Sequence, residues 1–396
     1  MLFNEWKLKN ITSKNRLVRS ATYEGMGDIN GNPLKGLKDI YKDLATNDVG
    51  MIITGFCFIS QEGRAMQPHQ CGIDSDDKID YWKDIVSYVK SISMETLLVM
   101  QIAHAGRQTL KKVTGLPVVS PSTKRSLYFK EKPVALNDEK IKQIINEFGD
   151  AAKRAQKAGF DGIQIHAAHG YLIHQFLSPH INKRNDRWGK NRSEFLRETI
   201  LNIKDKCGNS FPVFVKISAA DDDKYGLKIE NTFDYIKKLE NVGIEAFEIS
   251  YGTMDAAFNI FRGTVPIQKV FEHNILFKNY NLLKRKFWQY FIFPQWKKGF
   301  ITYKDNYNLP FAKEIKRNTN IPIILVGGLR EKKVMDDILR NDHADAISLS
   351  RPLICEPDLG KKLKENINVR SICRNCNECI VMCDSENSLN CYGKAL

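Results

Sequence analysis

Residues 161–184 read DGIQIHAAHGYLIHQFLSPHINKR, and the fold turns on how they are understood. Ile163 and Ile165 alternate with polar neighbours, the period of a short strand. His166, His169, Gly170 and Tyr171 follow directly. A strand ending in two imidazoles, a glycine and a phenol brings proton donors and a tight turn to one edge of a sheet. In parallel α/β proteins that edge is where ligands sit. An H-x-x-H pair also suits hydrogen-bonded core histidines, so its meaning depends on its setting.

The rest of the chain supplies the setting. Eight short apolar runs recur: RLVRSA (16–21), GMIITGF (50–56), LLVMQIAH (97–104), DGIQIHAA (161–168), PVFVKISA (212–219), EAFEISYG (245–252), PIILVGG (322–328) and DAISLS (345–350). Amphipathic stretches separate them. The clearest runs from Asn137 to Gly159, with Ile141, Ile144, Ile145, Phe148, Ala152 and Ala155 on one face. Asn137 suits its cap, Asp138 and Glu139 its first turn, and Gly159 its end. Eight strand–helix units predict a (β/α)8 TIM barrel over residues 1–370 rather than an open doubly wound sheet. One mouth of that barrel then collects Thr22, Tyr23, Gly55, Gln101, His104, His166, His169, Lys216, Tyr251, Gly327, Gly328, Ser350 and Arg351.

Two long loop insertions interrupt the rhythm. Residues 105–136 are turn-rich. Residues 253–308 carry a basic, aromatic core, NYNLLKRKFWQYFIFPQWKKGF. Following the sixth strand on the ligand side, this second insertion is expected to be a lid. A membrane surface or a partner is its other suitable neighbour.

Composition narrows the function. At 396 residues, 42% apolar and 27% charged, the chain is an ordinary globular protein. It lacks a long apolar run, so no membrane span is expected, and its N-terminus MLFNEWKLKN does not read as a secretory signal. A cytoplasmic location is the expectation. The formal charge of +14 arises from lysines scattered beside acids, as in DEKIKQ and EKKVMDD. Scattered lysine is a solvated face, not a nucleic-acid footprint. Nine cysteines, five of them between Cys373 and Cys391, point to metal or redox chemistry rather than a disulfide scaffold.

VGGLR after the seventh run and SLSRP after the eighth stand where barrels bind phosphate. Gly327 and Gly328 allow close backbone approach to an anion, and Arg351 offers a planar fork of donors. The pair reads as a mononucleotide phosphate site.

Together KNRLVRSAT, GMIITGF…EGR, QIAHAGR, GFDGIQIHAAHGYLIHQFLSP, NKRNDRWG, FVKIS, VGGLR and SRPLI resemble the old yellow enzyme family of NADH:flavin oxidoreductases. The likeness extends especially to the FMN barrel half of 2,4-dienoyl-CoA reductase, and looks closest to the single-domain NADH:flavin oxidoreductases of anaerobes. It implies FMN against Ser20, Ala21 and Thr22, with Gly55 nearby. It also implies Gln101 on the flavin pyrimidine edge, Lys216 beside N1 and O2, and Gly327, Gly328, Ser350 and Arg351 around the phosphate. His166 and His169 would polarise an activating oxygen on the substrate, and Tyr171 would protonate its α-carbon. The implied reaction is reduction of an activated C=C bond, with NAD(P)H as reductant, in a small-molecule substrate. Three departures stand out: Ala21-Thr22 replaces the family's usual Pro-Met, Lys216 replaces a common Arg, and the loop Gly189–Arg192 is short.

The tail, residues 371–396, carries C-x2-C-x2-C and then Cys383 and Cys391. In 2,4-dienoyl-CoA reductase a similar tail, C-x2-C-x3-C-x11-C, binds a [4Fe–4S] cluster. By that resemblance Cys373, Cys376, Cys379 and Cys391 are candidate ligands, although the spacing matches only in part, and a zinc-binding tail is the simpler alternative. Two other functions remain: an FMN barrel acting on RNA, like dihydrouridine synthases, and an electron-transfer subunit working through the tail. The former uses a loop cysteine in place of HAAHGY. The sequence is compatible with a homo-oligomer without setting its size.

Overall fold

The structure is a computed structural model in which residues 1–393 are described; residues 394–396, the end of the cysteine-rich tail, lie outside that range. Each of the eight apolar runs contains a strand: β1 Leu17–Arg19, β2 Met51–Ile53, β3 Leu97–Ala103, β4 Gly162–Ala167, β5 Val213–Ser218, β6 Ala246–Ser250, β7 Ile323–Val326 and β8 Ala346–Leu349. Consecutive strands pair in parallel from β1 to β8. β8 then returns to β1, with Ile347 opposite Leu17, so the sheet closes and no barrel edge is exposed.

A helix follows every strand: α1 Leu37–Thr46, α2 Lys78–Ile92, α3 Asp138–Lys157, α4 Glu194–Cys207, α5 Ile229–Lys238, α6 Leu309–Lys316, α7 Lys332–Arg340 and α8 Leu359–Glu365. The sequence signals of α3 are realised. The Asn137 side chain accepts from the Lys140 N–H at 2.8 Å, and Ile141, Ile144, Ile145 and Phe148 are buried. The chain is therefore a (β/α)8 barrel.

Strand alternation sorts side chains into two cores. Ile163, Ile165 and Ala167 of β4 point outward into the shell beneath the helices. Val18, Met51, Ile53, Val99, Phe214, Ala246, Ile324 and Ala346 fill the lower barrel interior, capped by Trp6 of an N-terminal hairpin (Trp6–Lys7 with Thr12–Ser13). The upper interior is polar instead. Lys216 lies between His166 and Glu248 in strand register, and Gln101 lies opposite Gln164.

The two insertions and the tail meet over this upper mouth. Asp255 accepts from Arg107 Nη2 at 2.7 Å and from Ser126, tying residues 105–136 to residues 253–308. Asn274 donates to Tyr128 Oη at 2.6 Å and to Asp384, adding the tail. Tail contacts continue through Thr264 N to Asn375 O (3.0 Å) and Leu389 N to Glu24 O (2.8 Å). Among the described residues no helix is long and apolar enough to cross a membrane.

Candidate active site

A mainly apolar cavity opens at the mouth. Of the residues singled out in the sequence, Ala21, Thr22, Gln101, His166, His169, Tyr171, Lys216 and Ser350 all line it. They come from β1, β3, β4, β5 and β8 or the turns that follow, and closure of the barrel brings them together.

The turn after β4 sets the central group. His169 (φ +60°) and Gly170 (φ +82°) both adopt left-handed backbone. The left-handed backbone at Gly170 favours glycine, and a Cβ there would also crowd Gln108 Nε2 (2.7 Å) and Thr253 Cβ (3.2 Å). The reversal places the His166 ring 5.1 Å from His169 and 4.7 Å from Tyr171, between ring centroids. Phe56 closes the cluster at 5.3 Å from Tyr171. His166 Nδ1 accepts from the Ala168 N–H at 3.4 Å, which leaves Nε2 to carry the ring proton. His169 Nε2 bonds Ser250 Oγ at 2.7 Å.

Electrostatics hold all three groups in one protonation state. Burial, reinforced by the Lys216 charge, lowers both imidazoles well below their ordinary pKa, so they are neutral at pH 7. Burial raises the Tyr171 phenol well above its ordinary value, with Asp384 and Cys383 adding to the effect. The phenol therefore keeps its proton. The site offers neutral N–H donors beside an undissociated acid.

A buried ionic network lies under the cavity. Lys216 Nζ donates to Ser20 Oγ at 2.8 Å and stands 3.2 Å from Glu248 Oε2. Ser20 and Ser348 donate to Glu248 Oε1, each at 2.7 Å, and Gln164 Nε2 donates to Oε2 at 2.9 Å. Gln101 Nε2 completes the chain by donating to Gln164 Oε1 at 2.6 Å. Burial pushes the Glu248 carboxyl up, but Lys216 and these hydrogen bonds outweigh it and hold the pKa below its ordinary value. Glu248 and Gln164 were missed in the sequence. The available signal was a polar residue inside each apolar strand, EAFEIS and GIQIHA, at positions that face inward.

The remaining candidates lie apart. Ser20 sits in the network beneath the cavity. Gly55 donates to both oxygens of Glu24, which Arg19 and Tyr41 also engage, and a Cβ there would meet Glu24 at 2.1 Å. Its role in the fold is to hold the strand behind Thr22. Gly327 (φ +122°) and Gly328 (φ +77°) receive Tyr307 and Asn308, and Asn308 Nδ2 donates to Val326 O at 2.8 Å. Arg351 donates to Arg262 O (2.9 Å), to Asn377 Oδ1 (2.5 Å) and to Phe261 O. Thus Gly327, Gly328 and Arg351 do not border the main cavity.

Other lining residues come from the loops: Tyr23, Gln67, Phe258, Trp296 and, from the tail, Cys383 and Asp384. Burial pushes the Asp384 carboxyl up to about 7, against the hydrogen bond from Asn274. Two buried polar atoms on this wall, Tyr23 Oη and Gln67 Oε1, have no hydrogen-bond partner among the described residues. A large, mainly apolar cavity with an amide, a cation and orphaned polar atoms on its walls fits a flavin ring with a substrate.

Cys373, Cys376, Cys379 and Cys391 line a second cavity together with Cys355. Among the described residues, however, no group of three or more His, Cys, Asp or Glu side chains is placed to hold a metal ion. Neither the iron–sulfur cluster expected of Cys373, Cys376, Cys379 and Cys391 nor a zinc ion is therefore supported by a ready-made site. Ile354 and Cys379 border both cavities.

Known proteins resemble this chain. The profile of the NADH:flavin oxidoreductase / NADH oxidase family matches residues 1–287. The chain is 30% identical over 386 residues to NADH oxidase of Thermoanaerobacter brockii, covering 96% of this chain and 53% of that protein. It thus spans about half the length of that relative. It is also 30% identical to NADPH dehydrogenase of a Geobacillus species (strain WCH70), covering 90% of this chain and 92% of the relative. The old yellow enzyme homologue of Zymomonas mobilis superposes with a TM-score of 0.71 at 24% identity, over 93% of this chain and 94% of that one. With the barrel closed, the paired imidazoles at its rim and the family profile spanning most of its length, this chain belongs to the NADH:flavin oxidoreductase / NADH oxidase family, the old yellow enzyme family of FMN proteins.

Proposed function

We propose that the protein reduces an activated C=C bond in a small molecule, with NAD(P)H as reductant. The observation that carries this reading is the triad of His166, His169 and Tyr171 on one cavity wall, above Lys216 and Gln101. FMN, when bound, would supply the hydride. Lys216 would place a cation, and Gln101 an amide, at the flavin's pyrimidine edge, where negative charge develops on reduction; fixed charge there needs no reorganisation.

The chain's own groups do the rest. The N–H of His166 Nε2 points a neutral donor at an oxygen on the substrate, with His169 beside it. Donation to that oxygen withdraws electrons from the conjugated bond and makes its β-carbon electrophilic. Tyr171 holds a proton at Oη against ionisation at pH 7 and can deliver it to the α-carbon as a general acid. Phe56, Phe258 and Trp296 exclude water from the same space. The assigned phosphate contacts of Gly327, Gly328, Ser350 and Arg351 belong to this proposal, and Ser350 alone of them borders the cavity.

Anaerobic stopped-flow reoxidation of the reduced protein against enones, nitro compounds and dienoyl thioesters tests the reading. Rapid reoxidation by at least one class is expected. A protein that NAD(P)H reduces and none of these reoxidises would refute it. The tail carries a second proposal, an iron–sulfur cluster held by Cys373, Cys376, Cys379 and Cys391. Its support is that five thiols share one cavity, Cys355 included.

A further inference from the structure

The outer face of the second insertion is bare among the described residues. Three helical segments run end to end there: Leu282–Phe287, Trp288–Ile292 with π geometry, and Phe293–Lys297. Their inner side is an aromatic pack. Trp288 meets Phe271 at 5.5 Å and Phe277 at 5.3 Å, and Trp296 meets Phe300 at 4.9 Å. Arg285 also turns inward, donating to Tyr280 O at 2.9 Å and Phe271 O at 3.0 Å.

The other side is apolar and bare. Leu283 is 80% exposed, Phe287 58%, Tyr290 67% and Phe291 65%, with Leu282 at 76% beside them. Positions 283, 287 and 290/291 recur at helical spacing, so they form one ridge, and Phe287 stacks on Phe291 at 5.2 Å. Scattered exposed leucines need no explanation, whereas a contiguous ridge marks a contact surface. Every charged residue from 278 to 298 is basic: Lys278, Lys284, Arg285, Lys286, Lys297 and Lys298. Lys284, Lys286, Lys297 and Lys298 are exposed around the ridge.

One surface uses both features. Nucleic acid would engage the lysines and leave the aliphatic ridge wet, and a second copy would set lysines against lysines. Anionic lipid accepts leucine and phenylalanine below its headgroups and lysine among its phosphates. We propose that residues 281–298 dock the protein peripherally on an anionic lipid surface, with the helix in the interfacial plane and the Leu283–Phe287–Phe291 ridge inserted. Trp296, on the inner side of the same run, lines the main cavity, so docking turns the lid of that cavity toward the lipid.

Co-sedimentation of the full-length, flavin-loaded protein with vesicles tests this. Phosphatidylcholine vesicles are compared with phosphatidylcholine–phosphatidylglycerol vesicles at low and high salt. Binding only to the anionic vesicles is expected, weakening as salt rises. The double variant Phe287→Asp/Phe291→Asp is expected to lose it by on the order of tenfold or more. Lys284→Gln/Lys286→Gln is expected to weaken binding and flatten its salt dependence. Both variants should keep the wild-type flavin content and vesicle-free NAD(P)H turnover. Absence of wild-type binding, or equal binding by the aspartate variant, overturns the proposal. So does a wild-type dimer that ignores vesicles and that the aspartate variant converts to monomer, because the ridge then belongs to a second copy.

Discussion

Replacing Glu248 with glutamine isolates the ionic network beneath the cavity. The substitution keeps the shape and removes the one carboxylate that pairs with Lys216 among the described residues; the Lys216 side chain is 5% exposed and that of Glu248 fully buried. At their separation of 3.2 Å, an effective dielectric of about 20 gives roughly 5 kcal/mol of attraction. Removing one member of a buried pair costs about 3–5 kcal/mol, because the other charge stays buried without compensation. We therefore expect Glu248→Gln to lose about 3–5 kcal/mol at pH 7, read by urea unfolding with tryptophan fluorescence and circular dichroism. The Lys216→Met/Glu248→Gln double variant should lose less than the two single variants combined, since it strands no charge. The sign of the pH effect follows from the lowered Glu248 pKa. Its contribution is complete above the unfolded-state value of about 4.3 and disappears as pH falls through the lower folded value, and the glutamine variant lacks that acid limb. A loss of less than about 1 kcal/mol, or strict additivity in the double variant, would refute the argument that this pair is mutually dependent.

Three further outcomes are expected. His166→Ala/His169→Ala should retain flavin but weaken a phenolate ligand by about a hundredfold, since each lost hydrogen bond to a charged group is worth roughly 1.5 kcal/mol or more; unchanged affinity in a spectral titration removes both residues from ligand binding. Asp384→Asn should be more stable than the wild type at pH 8 and little different at pH 4. The raised Asp384 pKa means that the unfolded carboxyl ionises first, so wild-type stability falls between about 4 and about 7, by at most about 4 kcal/mol. A wild-type stability profile that the variant reproduces at pH 8 contradicts this. Finally, anaerobically purified protein should carry iron and acid-labile sulfide that Cys376→Ser/Cys379→Ser loses. Wild-type protein free of both, after reconstitution, leaves the tail without a cluster.

Much of the fold was legible because it depends on local periodicity. Alternation in DGIQIHAA and the cap, face and stop of α3 are written in neighbouring residues, and each of the eight apolar runs became a barrel strand. The rim was legible for the same reason, since a residue at a strand's C-terminal end lies at the mouth whatever its partners. The network below was harder to see. Gln164 and Glu248 are 84 positions apart, and only closure of the sheet makes their side chains neighbours. Asp384 is likewise an ordinary tail acid in sequence. Its high pKa depends on the tail folding back over Tyr128 and Asn274.

The amino-acid order alone determined the repeating strand–helix unit and the His–Gly–Tyr turn that brings donors to the mouth, because these are short-range consequences of backbone geometry. Tertiary structure decided which charges are paired, which carboxyl stays protonated near neutrality, and that Arg351 braces the lid segment while Gly327 and Gly328 receive Tyr307 and Asn308. Those outcomes depend on desolvation and on distances between remote segments, and both come into being only when the chain closes on itself.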